Sequence, residues 1–72
     1  MVPNNNTENI NQLTSYDQIY FFIYTSYDSL DNSILENIKH SPMAINLRKN
    51  GHSEKESTVI SLSFTLYFYY TI

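Results

Sequence analysis

Two carboxylates, Asp28 and Asp31, stand three residues apart in a stretch of helical periodicity. One helical turn brings such a pair to the same side, where they could share a proton or a cation. Nothing nearby completes the set. His52 and Glu54 project together only from an extended backbone, His40 lies elsewhere, and a metal site needs three or four converging ligands. The serines carry no G-x-S-x-G elbow. One glycine in the whole chain rules out a glycine-rich phosphate loop. With no cysteine there is neither a disulfide framework nor a thiolate metal site. The reading is therefore a non-catalytic chain with no cofactor, no metal and no small-molecule substrate. Asp28 and Asp31 become the solvated or docking flank of an amphipathic helix.

The aromatic residues carry more information. Tyr16, Tyr20, Tyr24 and Tyr27 recur at helical intervals. Tyrosine buries a large ring while its hydroxyl keeps a polar contact, a combination common at interfaces. Tyr20, Tyr24 and Tyr27, with Asp28 and Asp31, are the candidate protein-interface residues. Two settings fit this stripe: first a core seam against the chain's own sheet, then a surface left for a partner.

The element that must position them runs from Tyr16 through Ile19, Tyr20, Ile23, Tyr27, Leu30 and Ile34 to Ile38. Every step in that series keeps the side chain on one face of a 3.6-residue helix, which predicts a helix over about 15–39. Ser15-Tyr16-Asp17-Gln18 fits a capping box at its start. Lys39-His40-Ser41-Pro42 marks its end, because cations suit the negative helix terminus and proline cannot continue the helix. Tyr, Phe and Ile between residues 19 and 25 also favour strand, so a strand at about 17–25 followed by a helix at about 29–39 competes. On the helix, Phe21, Phe22 and Tyr24 widen the apolar surface beyond one face, and such a helix must be covered on more than one side.

Beyond Pro42 the pattern changes to alternation. Met43, Ile45 and Leu47 share one side of a short strand at about 43–49, and Asn50-Gly51 is a hairpin signal. Residues 51–57 read as a polar loop. Residues 58–72 alternate strictly, with Ile60, Leu62, Phe64, Leu66, Phe68, Tyr70 and Ile72 on one face, and read as a long final strand. A strand ending on Tyr69-Tyr70-Thr71-Ile72 leaves an apolar edge that invites pairing with another chain. The fold class is α+β: one amphipathic helix followed by antiparallel strands, in a single unit over 15–72. Residues 1–14, with Pro3 and an asparagine tract, read as a disordered polar tail.

Composition bounds the partners. A 72-residue chain buries only about 60% of its unfolded surface, so its core is marginal without help, and a protein partner is the help still open to it. The net charge is −3 with four lysines and arginines, which argues against nucleic acid. The wealth of Tyr, Asn, Ile and Ser also matches A/T-rich codon usage. The first residues lack the charged and apolar regions of a secretory signal. Residues 57–72 fall short of the ~20 residues of a spanning helix.

Residues 20–34, Tyr20-Phe21-Phe22-Ile23-Tyr24-Thr25-Ser26-Tyr27-Asp28-Ser29-Leu30-Asp31-Asn32-Ser33-Ile34, resemble the first helix of the sedlin-like subunits of the trafficking protein particle (TRAPP) tethering complex, nearest the subunit 2-like branch. The matching places are Thr25, Ser26, Tyr27, Asp28, Leu30, Asp31 and Ile34 after an aromatic-rich start. The resemblance implies a longin-like fold, a helix-flanked antiparallel sheet. This chain lacks the family's strand hairpin before the helix and its helices after the strands, which implies a reduced member or an incomplete gene product. It further implies a non-catalytic subunit that binds other tethering-complex subunits in endoplasmic reticulum to Golgi transport, with Asp28 supporting the subunit contact. The implied location is the cytoplasm, peripheral to endoplasmic reticulum or Golgi, with only indirect membrane contact. Two alternatives stay open: an orphan short protein, and a small membrane-associated protein.

Overall fold

The computed structural model describes residues 14–71 of the chain, with side chains from residue 16 to residue 69. The expected polar tail lies outside the described residues except for Thr14, and the Ser15 hydroxyl lies outside them too.

A π-helical turn, Thr14–Gln18, runs straight into helix α1, Ile19–Thr25. The helix stops where Thr25, Ser26, Asp28 and Ser29 accumulate, residues whose short polar side chains compete for the backbone. The Thr25 hydroxyl donates to the Phe21 carbonyl at 2.8 Å. A 3₁₀ turn, Tyr27–Ser29, follows, and Leu30 is extended at φ −80°, ψ 156°. Asp31 then opens helix α2, Asn32–Lys39, its carboxylate accepting from the Ser33 amide at 2.7 Å. The expected single helix over 15–39 is thus two helices joined by a bent turn.

Helix α3, Pro42–Lys49, begins at Ser41, whose hydroxyl accepts from the Ala44 amide at 3.3 Å, and Pro42 takes the first helical position. There proline loses no hydrogen bond and its fixed φ suits the helix. Gly51, at φ 104°, closes α3. Its amide donates to Arg48 at 3.0 Å and that of His52 to Leu47 at 3.1 Å, the two bonds of a Schellman termination, which needs a left-handed residue at this place. Helix α4, Glu54–Thr71, has 18 residues. The Ser53 hydroxyl accepts from the Glu56 amide at 3.0 Å, and Glu54 and Glu56 place negative charge at the positive helix end.

Helix α4 is the central strut, and α1, α2 and α3 all pack on it. Ile23 of α1 and Val59 and Leu62 of α4 form the buried centre, with Ile19, Tyr20, Tyr27, Leu30, Ile38 and Leu66 packed against them. Ala44 of α3 is buried as well. The hidden face of α4 is otherwise made of small hydroxyl residues, Ser57, Thr58, Ser61 and Ser63, whose size lets neighbouring backbones approach. Burying a hydroxyl is tolerable when it is bonded. Ser57 donates to the Ser53 carbonyl at 2.6 Å and Thr58 to that of Glu54 at 2.8 Å.

The α+β, longin-like expectation is therefore overturned: no strand occurs among the described residues. The stretch expected as strand 43–49 is α3, and it buries Ala44 while Met43 and Ile45 are exposed, the reverse of the alternation. The stretch expected as strand 58–72 is α4 as far as Thr71. Val59 and Leu62 are buried there, and Phe64 and Phe68 are exposed. Alternation in hydrophobicity loses to a capped start, flanking helices that cover a three-to-four-residue stripe, and the back-bonded hydroxyls of Ser57, Thr58 and Thr65, while those of Ser61 and Ser63 are buried without a partner among the described residues. No helix among the described residues is long and apolar enough to cross a membrane.

Candidate functional site

Three of the five candidate interface residues come together, but around a side chain of this same protein. Tyr20 packs against the core and stacks on Tyr24, ring centres 5.9 Å apart. Lys55, at the start of α4, holds its ammonium 4.2 Å from the Tyr24 ring centre and 5.4 Å from that of Tyr27. The negative ring faces attract the cation, so this aromatic face ties α1 to α4. Burial, then the charges of Glu56 and Tyr24, raise the Tyr20 phenol above its ordinary range. Tyr16 is also raised, by burial first and then by Tyr20 and Asp17. Its ring lies 5.1 Å from that of Phe64 and meets Tyr67 edge-on at 6.0 Å.

The two aspartates part company. Asp31 is the N-cap of α2, a structural task that occupies one carboxylate oxygen. Asp28 sits exposed on the 3₁₀ turn. The histidines are engaged locally: His52 Nδ1 lies 3.0 Å from the Glu56 carboxylate, and His40 Nδ1 lies 2.9 Å from the Glu36 carbonyl. Glu54, paired with His52 in the sequence reading, instead meets Lys39 at 3.1 Å. Lys39 also meets Glu36 at 2.9 Å. Hydrogen bonding to Lys39 lowers the Glu36 carboxyl, and bonds to Glu36 and Glu54 raise the Lys39 amine. Among the described residues no group of three or more such side chains could hold a metal ion.

One groove was not placed by sequence reasoning. Ile19, Phe22 and Ile23 of α1 form one wall, Leu30 and Ile34 the second, and Leu62 and Leu66 of α4 the third, around a space of about 630 Å³ with Gln18 at its mouth. That volume lies within the ~300–1,000 Å³ range of binding clefts. Phe22 is 65% exposed and Ile34 49%, so the walls rise into solvent. Leu66 also belongs to a second depression with Thr65, Phe68 and Tyr69. A shallow cleft of Asp17, Gln18, Phe21, Phe22 and Thr25 shares Gln18 and Phe22 with the groove. The signal available in the sequence was the surplus of Phe21 and Phe22 outside the stripe. What hid the groove was reading residues 58–72 as a strand, which scattered Leu62 and Leu66 from α1. The arrangement offers contiguous apolar area, and its chemistry is burial against a complementary surface.

No family model, no curated protein and no solved structure matches the chain.

Proposed function

We propose that this protein is a non-catalytic interaction module that docks a partner protein in the groove between α1, α2 and α4. The observation that carries the reading is the exposure of Phe22 and Ile34 on the walls of a groove floored by the buried Ile23 and Leu62. Covering such side chains gains about 25 cal/mol per Å² of apolar surface. An amphipathic helix laid in a hydrophobic groove, anchored at helical spacing, is the recognition mode that suits three helical walls. The docking surface is thus moved from the Tyr20, Tyr24 and Tyr27 face to the groove. The vesicle-tethering role is the narrower form of this reading, and it rests on the likeness of residues 20–34 alone.

The test is affinity purification of the tagged chain from its own cells, in parallel with Phe22→Asp and with Lys49→Glu on the exposed end of α3. A partner retained by wild type and by Lys49→Glu but lost from Phe22→Asp supports the groove. Equal retention by all three chains refutes it. Joint recovery of several trafficking-complex subunits supports the tethering role, and a partner of any other kind removes it.

A further inference from the structure

The charges around the groove are of one sign. Residues 14–35 and 57–71, which supply all its walls, contain Asp17, Asp28 and Asp31 and neither lysine nor arginine. Asp17 lines the shallow cleft that shares Gln18 and Phe22 with the groove. Leu30, which lines the groove directly, is followed by Asp31 and preceded two residues earlier by the exposed Asp28. The four cations of the described chain lie outside those segments, and three of them are engaged elsewhere. Lys39 bonds Glu36 and Glu54, Arg48 Nη1 donates to the Lys39 carbonyl at 2.9 Å, and Lys55 lies over Tyr24. An apolar groove whose walls come from segments that carry only acidic charge selects its occupant by charge as well as by shape.

We infer that the groove binds a basic amphipathic helix of another protein, with leucine-like anchors at helical spacing and lysine or arginine on both flanks. This rests on the docking reading above and names the partner's chemistry. A second copy of this chain is the wrong occupant, because a twofold pairing of the grooves would set one acidic pair of segments against another. An anionic lipid surface is wrong for the same reason, since helices that bind it carry a basic polar face. Exposed ion pairs are individually weak, so three of them compound to a preference of roughly tenfold and not more. They set orientation and encounter rate, while the apolar anchors hold the complex.

The experiment is a titration of the isotopically labelled full chain, followed by backbone amide shifts. The probes are three synthetic helical peptides with one leucine face and lysine, glutamine or glutamate flanks. The expected result is tightest binding of the lysine peptide, about tenfold over the glutamate peptide at low salt, with the largest shifts at Ile19, Ile23, Leu62 and Leu66. The gap narrows at high salt and in the double variant Asp17→Asn, Asp28→Asn, which leaves the Asp31 cap in place. Equal affinity of lysine and glutamate peptides at the groove overturns the charge inference and leaves the docking reading standing. No groove shifts with any peptide overturns both. Groove shifts that appear on concentrating the chain alone, or on adding vesicles containing phosphatidylserine, also overturn the inference in favour of self-association or lipid.

Discussion

Alanine at position 59 and alanine at position 68 separate the helical account of residues 54–71 from the strand that their alternation suggests. Val59 is 0% exposed and sits at the centre of the core, while Phe68 is 56% exposed. Val59→Ala removes two methyl equivalents at about 0.8 kcal/mol each and leaves a small cavity in contact with Ile23 and Leu62. Alanine's better helix propensity returns roughly 0.5 kcal/mol. The net loss is about 1.5–2 kcal/mol. Phe68→Ala gives up less than half a phenylalanine's burial, about 1 kcal/mol, and recovers part through propensity, for a net near 0.5 kcal/mol. A domain of this size holds only ~3–5 kcal/mol in total. At roughly 4–8 °C per kcal/mol, Val59→Ala lowers Tm by about 10 °C and Phe68→Ala by about 3 °C. The assay is thermal and urea unfolding followed by far-ultraviolet circular dichroism. An alternating strand predicts the inverse order, because Phe68 would share the buried face with Leu62 and Leu66 and cost about 3–5 kcal/mol on truncation. A larger loss for Phe68→Ala than for Val59→Ala would refute the helical packing.

Other perturbations act on single features. Ser53→Ala removes the hydroxyl that accepts the Glu56 amide at 3.0 Å; it should cost about 1 kcal/mol in urea unfolding, and an unchanged midpoint removes the cap from the account. Raised phenols at Tyr16 and Tyr20 mean that the folded chain keeps protons the unfolded chain has begun to lose. Their contribution is complete below the ordinary phenol value of about 10 and is lost as pH rises through the folded values. Alkaline melting should therefore show a falling Tm above that point, less steeply in the Tyr16→Phe, Tyr20→Phe double variant; equal slopes contradict the assignment.

The helical stripe was readable because its physical cause is local. Ile19, Tyr20, Ile23, Tyr27, Leu30 and Ile38 all lie against or in the core, as their spacing requires. What the stripe concealed was the break after Thr25: the 3₁₀ turn preserved enough phase that the bend left little trace in the hydrophobic pattern, and only Ile34 was turned outward. The errors after residue 39 came from punctuation that admits two meanings. Pro42 reads as a stop after Lys39, yet behind Ser41 it is a start. Asn50-Gly51 is a hairpin signal, yet one residue in the left-handed region serves equally to end a helix. Ser53-Glu54-Lys55-Glu56 is polar enough to read as loop, although a serine with glutamate three residues on is the capping-box spacing. The alternation of residues 58–72 misleads because Ser61 and Ser63 fall on the face opposite Ile60, Leu62 and Phe64 in a strand. They are buried, being small enough to lie where neighbouring helices press on α4. Of the candidate interface residues, Tyr20 and Tyr27 pack against the core. Lys55 claims Tyr24 and Tyr27 through a contact that depends on α4 being a helix.

The most direct test of the docking claim is site-specific photo-crosslinking in living cells. A photoreactive phenylalanine analogue replaces Phe22 in the groove wall or Lys49 on the exposed end of α3. The account predicts a discrete crosslinked product of the chain with a second protein from position 22 and none from position 49. Products from position 49 alone, or identical products from both, would contradict it.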